Sequence, residues 1–141
     1  MLRELPGGYE LDDDPRRIDV AVVHRFLSEE SYWAEGRSHA MVVASIEGSQ
    51  RVVGLYHAGS LVGFARVVSD KSVFAMLADV FVLEAHRGRG LGTELVRETI
   101  EGGPYGDLSW WLVTDDAQGL YAKFGFREQS ATTAMGRARR D

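Results

Sequence analysis

No cysteine occurs in the 141 residues, which excludes a disulfide framework, a thiolate metal site and a cysteine nucleophile. An acyl group therefore cannot pass through a protein thioester, and direct transfer or a serine route remains. Lysine is scarce as well: of the sixteen basic residues only Lys71 and Lys123 are lysines, a compositional bias without a functional reading. Positive charge is not in excess, since the formal net charge is -5, and a chain lacking a basic face is a poor counterion-releasing partner for nucleic acid. A cationic or amine partner is the better electrostatic match. No apolar run approaches the roughly 18 residues of a membrane span, and Met1 to Gly8 lacks the apolar core of a secretory leader. The expectation is a cytoplasmic protein with no membrane and no nucleic-acid partner.

Hydrophobic residues make up 45% of the chain, enough to bury a continuous core in one domain over residues 1–141. Tyr9-Glu-Leu reads as a short strand, broken by Asp12-Asp13-Asp14-Pro15. Val20, Val23, Phe26 and Leu27 recur at helical spacing behind Asp19, a suitable cap. A second helix is expected over Ser38 to Ile46, with Gly48 as its stop. The period then becomes strand-like: Arg51 to His57, the turn Ala58-Gly59-Ser60, and Leu61 to Val68 form an antiparallel hairpin. Val73 to Leu83 is apolar enough for the middle of a sheet, interrupted only by Asp79.

Arg87 to Gly92 follows, then a helix whose Leu91, Leu95, Val96 and Ile100 share one face until Gly102-Gly103-Pro104 ends it. Asp107 to Val113 reads as a strand, Asp115 to Phe124 as a short helix, and Phe126 to about Gly136 as one or two closing strands. The polar tail Arg137 to Asp141 is expected to be loosely held. The fold class is α+β, a mixed α/β sandwich.

The glycine loop carries the chemistry. A helix N-terminus has unpaired N–H groups and a partial positive charge, so a loop that admits close approach becomes an anion site. Gly88, Gly90 and Gly92 remove side chains there, and Arg87 and Arg89 add donors for phosphate oxygens. A plain tight turn would use glycines in the same way. Gly92 is followed by Thr93-Glu94, not by the Lys-Ser/Thr of a Walker loop, and the even glycine spacing departs from Gly-x-Gly-x-x-Gly.

What Arg87-Gly88-Arg89-Gly90-Leu91-Gly92 does match, at all six positions, is Gln/Arg-x-x-Gly-x-Gly/Ala after an apolar strand. In this it resembles the GNAT superfamily of acyl-CoA N-acyltransferases. Leu120-Tyr121-Ala122-Lys123-Phe124-Gly125-Phe126 resembles the family's second element, and the two in order extend the likeness over nearly the whole chain. The resemblance implies a central, mostly antiparallel sheet with splayed middle strands, flanked by about four helices. It implies acetyl-CoA as acyl donor and no metal, with backbone groups of Phe81, Val82 and Leu83 on the pantetheine arm. The loop amides from Gly88 to Thr93, through Leu91 and Gly92, would hold the pyrophosphate. Tyr121 would assist the departing thiolate. Where many members carry an asparagine seven residues before the tyrosine, this chain has Thr114, followed by Asp115 and Asp116 as helix-capping or arm-contacting residues.

An amine must be neutral to attack a thioester, so a carboxylate base or an amine-perturbing site is needed. Asp79 is the candidate base or amine anchor, with a structural salt bridge, such as one to Arg66, as the other reading. Glu84, His86 and His57 are weaker candidates. Glu29, Tyr32 and Trp33 lie where the family places a loop over the acceptor cleft, either as a cation-binding wall or as packing against the second helix. Of Trp110 and Trp111, on opposite faces of one strand, one is core and the other is free to reach the acceptor side. The expected activity is acetyl transfer to a primary amine by direct attack, on a small molecule or a protein amino group. A non-catalytic acyl-CoA sensor of the same fold is the alternative, and a homodimer completing one cleft is open.

Overall fold

A computed structural model gives the fold and describes residues 1–129 and 134–140. Six strands form one sheet in chain order: β1 (Arg3–Leu5), β2 (Tyr9–Asp12), β3 (Arg51–His57), β4 (Ser60–Ser69), β5 (Phe74–Val82) and β6 (Ser109–Trp111). Every pairing is antiparallel except β5 with β6, which is parallel. Four α-helices accompany the sheet among the described residues: α1 (Val20–Arg25), α2 (His39–Gly48), α3 (Leu91–Ile100) and α4 (Gln118–Ala122). This is the α+β architecture expected, with β1 added at the front edge.

Local chemistry accounts for most boundaries. Asp19 caps α1 by accepting from the Val22 amide (3.3 Å), and Ser38 caps α2 by accepting from the Met41 amide (3.2 Å). Ala58 (φ 49°) and Gly59 (φ 82°) both adopt left-handed angles, the geometry a two-residue hairpin loop needs to match strand twist. Beyond α1 the chain widens into a π-helical turn, Phe26–Glu30, before leaving the helix at Ser31.

Two apolar clusters sandwich the sheet. On one face Leu91, Leu95, Val96 and Ile100 of α3 pack on Leu11, Val53, Leu55, Ala65 and Leu77. On the other, Val23, Phe26, Leu27 and Val42 from the α1 and α2 region cover Val52, Tyr56, Phe64 and Phe81. Packing is close: a Cβ at Gly54 would lie 2.6 Å from the Tyr56 hydroxyl oxygen.

The closing strands expected over Phe126 to about Gly136 are not seen among the described residues, and residues 130–133 lie outside them. Phe126 packs onto the α3 cluster, but Arg127, Glu128 and Gln129 are exposed. They offer no alternating apolar face by which a strand could join the sheet. The helix expected over Asp115 to Phe124 is shorter, because residues 114–117 form its capping turn: the Thr114 hydroxyl accepts from the Ala117 amide (3.1 Å). Thr114 thus closes the turn before α4, and no side chain, that of Asp115 or Asp116 included, caps the helix itself.

Candidate functional site

The glycine loop delivers α3 without a side-chain cap. Its N-cap is Gly90, at φ 77°, and Gly88 stands at φ 79°. Both angles strain any residue with a Cβ. A Cβ at Gly88, Gly90 or Gly92 would meet nothing within 4 Å, so the loop opens onto free space. The first intrahelical bond runs from the Glu94 amide to the Gly90 carbonyl. The amides of Gly88, Arg89, Gly90, Leu91, Gly92 and Thr93 donate to no acceptor among the described residues. Six outward donors at the positive end of a ten-residue helix make an anion cradle. Arg89 is exposed beside it, bordering a shallow hollow of about 450 Å³ with Arg3, Pro6 and Glu94. Glu94, whose burial would raise its pKa, is held below its usual value by Arg97 and Arg3. Arg87 is exposed as well, and its Nε donates to the Val82 carbonyl at 2.9 Å.

Next to the cradle the sheet opens. β5 and β6 pair only over Phe74↔Ser109, Ala75↔Trp110 and Met76↔Trp111, while β5 continues to Val82. Past Met76 the backbone groups of β5 that face away from β4 therefore have no strand beside them. The three residues expected to contribute there are not equivalent. Leu83 is engaged on both sides, its N–H donating to Val62 (2.8 Å) and its carbonyl accepting from His86 (2.9 Å). Phe81 is in register with Phe64 of β4. By strand alternation it is Val82 that turns its backbone to the gap. The expectation of three contributors narrows to one.

Tyr121, on α4, packs against the same cluster as Val80 and Val82. Its hydroxyl makes no hydrogen bond to a described residue, and burial, aided by nearby Tyr32 and Asp116, pushes its pKa up to about 12. It is thus a phenol that keeps its proton across the neutral range. Tyr32 reaches the same place from the other side of the fold, its hydroxyl accepting from the Asp115 amide (3.1 Å) and lying 3.5 Å from Asp116 Oδ1. Trp33 packs edge-on to Tyr32. Glu29 is exposed on the π-helical turn. Trp110 is the partly buried member of its pair and Trp111 the exposed one.

Asp79 is buried and fully engaged. Its carboxylate accepts from Arg66 Nε (2.7 Å), Arg37 Nη1 (2.8 Å) and Trp33 Nε1 (3.0 Å). Burial raises its pKa, but the Arg66 and Arg37 guanidiniums and the Trp33 bond outweigh this and hold it below the ordinary 3.8. The salt bridge to Arg66 is present, and Arg37 is a second partner that local sequence does not indicate. His86 Nδ1 shares a hydrogen bond with the Tyr9 hydroxyl (2.7 Å), and the His57 ring lies against Tyr9 at 4.4 Å between centroids. Glu84 is exposed at the turn before the loop.

Among the described residues the sheet thus has a single parallel pair, which parts beside an uncapped helix end, with Tyr121 packed on the same cluster as Val80 and Val82. The family model described as acetyltransferase (GNAT) domain matches residues 37–128, more than half of the sequence, and the chain belongs to that family. A crystal structure from Xanthomonas campestris assigned to the same family is 36% identical, with 96% of each chain covered and a TM-score of 0.88. A mycothiol acetyltransferase of Nocardia farcinica is 33% identical over 93 residues, which is 64% of this chain but only 30% of that protein. An acetyltransferase of Clostridium acetobutylicum, solved with acetyl-CoA, shares the fold at a TM-score of 0.69 and 13% identity, with 91% of this chain and 94% of that one covered. No helix among the described residues is long and apolar enough to cross a membrane.

Proposed function

We propose that this chain is an N-acetyltransferase that moves an acetyl group from acetyl-CoA to a primary amine by direct attack. The observation that carries the reading is the run of six amides from Gly88 to Thr93, without acceptors among the described residues and opening onto free space beside a parted strand pair. That arrangement suits a ligand with a diphosphate at one end and an amide-bearing arm, which is the chemistry of coenzyme A. When bound, acetyl-CoA supplies a thioester carbonyl as electrophile.

The protein's part is binding, orientation and proton placement. The Gly88–Thr93 amides and Arg89 hold the diphosphate, and Val82 aligns the arm as a neighbouring strand would. Arg87 Nε donates to the Val82 carbonyl, which leaves its terminal guanidinium nitrogens to face the phosphates. The Tyr121 hydroxyl, still protonated at neutral pH, donates to sulfur as the thiolate departs. Tyr32, Trp33 and Glu29 line the acceptor side. The amine arrives neutral or yields its proton to water, because Asp79, with a lowered pKa and three donors, is a weak base.

Isothermal titration with acetyl-CoA tests the reading: absence of binding at millimolar coenzyme overturns it. Release of free thiol in the presence of an amine panel then separates an enzyme from a non-catalytic acyl-CoA sensor, which binds and releases nothing.

A further inference from the structure

We infer that Asp79 is a positioning residue: its carboxylate anchors the segment from Ser31 to Ser38 that bridges from β5 to the turn before α4, and so fixes the acceptor wall against the donor strand.

The segment leaves the π-helical turn at Ser31 and enters α2 after Ser38. Its local bonds are few: the Ser31 hydroxyl donates to Leu27 (2.6 Å) and accepts from Ala34 (3.1 Å), and the Gly36 amide donates to Ser28 (3.1 Å). Ala34 packs into the apolar cluster on that face, and the polar hold on the sheet is supplied by Trp33 and Arg37, 46 and 42 residues from Asp79 in sequence, both ending on that one carboxylate. Its other attachment, Tyr32 to Asp115 and Asp116, is exposed and longer. The inner end is therefore the firm one.

Backbone geometry places the anchor. Arg66 pairs with Ala78 and Phe64 with Phe81, so Asp79 and Val80 together oppose Ala65: a bulge, with Asp79 at φ 55°. The bulge keeps Asp79 and Phe81 on the α1 and α2 face while Val80 and Val82 stay on the α3 face. The residue that ties the acceptor wall thus stands three positions from the backbone that aligns the donor. Arg66 braces the carboxylate from β4 (2.7 Å), and a charged acceptor in place of a neutral one makes each of the three bonds stronger.

The inference rests on the reading that residues 31–38 border the acceptor, and two measurements keep the two apart. Asp79→Asn tolerates the left-handed backbone, and Arg37→Gln removes the guanidinium that ties the end of the segment to the carboxylate; if Asp79→Asn does not fold, Arg37→Gln carries the test. In hydrogen–deuterium exchange, peptides covering 31–38 should exchange about tenfold faster in Asp79→Asn, in keeping with loss of local closing contacts. Acetyl-CoA affinity should stay within about twofold of the parent, because the anchor touches the acceptor wall and not the anion cradle. Unchanged exchange at 31–38 overturns the anchor, whether or not acetyl-CoA binds; failure of the parent to bind acetyl-CoA overturns the functional reading alone. With an amine that supports thiol release, drawn from spermidine, glycine and a free tripeptide, the variants should raise the amine KM about tenfold. At the same time kcat should hold within about threefold, and the pH profile of kcat/KM should keep its shape. A loss of about 100-fold or more in kcat at constant KM, with the acidic limb gone, marks Asp79 as the base and overturns the inference.

Discussion

Gly90 offers a test in which strain and charge can be separated. At φ 77°, with free space around its missing Cβ, any L-residue there costs about 1–2 kcal/mol of backbone strain without a clash. For a domain of this size that corresponds to a fall in Tm of about 3–8 °C in Gly90→Ala; Gly90→Glu should fall no further, since its carboxylate meets the unpaired amides at the positive helix end. The two variants part company in ligand affinity. The carboxylate introduced by Gly90→Glu, at about 6 Å from a bound diphosphate and in an effective dielectric of about 20, opposes each phosphate charge by about 3 kcal/mol. Gly90→Glu should therefore bind acetyl-CoA at least about 100-fold more weakly than Gly90→Ala at low ionic strength, and added salt should narrow the gap. Differential scanning fluorimetry gives the first quantity and isothermal titration the second. Equal affinities would refute the placement of an anion at this helix end; a distinctly larger fall in Tm for Gly90→Glu than for Gly90→Ala would refute the claim of free space.

The same geometry fixes three other outcomes. Tyr121→Phe should bind acetyl-CoA like the parent while thiol release slows about 100-fold, within the range of a lost general acid; turnover equal to the parent's removes Tyr121 from the chemistry. Gly54→Ala should destabilise by about 1–3 kcal/mol in urea titration, because the new methyl meets the buried Tyr56 ring. Tyr56 and Tyr121 are both pushed up to about 12 by burial. A raised folded pKa leaves its stabilisation intact below the unfolded value of about 10 and loses it as pH climbs to the folded one. Stability should therefore decline between about pH 10 and pH 12 as absorbance at the tyrosinate band grows, and Tyr56→Phe should flatten that decline.

The parts of this molecule that are readable in sequence are those set by neighbours along the chain. The hairpin at Ala58-Gly59, the caps Asp19 and Ser38, and the strand, glycine loop and helix around Gly90 all depend on contacts within a few residues. The short helix that carries Tyr121 is legible because its motif is local too. What escapes detection depends on partners far away. Asp79 stands out as a charge in an apolar strand, but Arg37 and Trp33 lie more than forty positions earlier, and no spacing rule joins them. That Leu83 is unavailable follows from a carbonyl on β4 and an amide in the following turn. β1, three residues long, is shorter than any periodicity can register. Over the described residues 126–129 the expected closing strand is absent for the opposite reason: Phe126 alone invites a strand, and the charged pair Arg127-Glu128 behind it lacks the alternation to sustain one.

The strand order has a consequence for how the chain comes to be assembled. β1 to β5 lie side by side in the order of their synthesis, so each new strand emerging from the ribosome finds its antiparallel partner already laid down. The last strand is different: a parallel partner needs a crossover, here supplied by α3, and it is secured by three rungs alone. Closing that loop costs chain entropy before the rungs offset it. The nascent protein should thus hold a finished meander through Val82 while the residues that follow are still free, and docking of β6 and α4 should be the last event of folding.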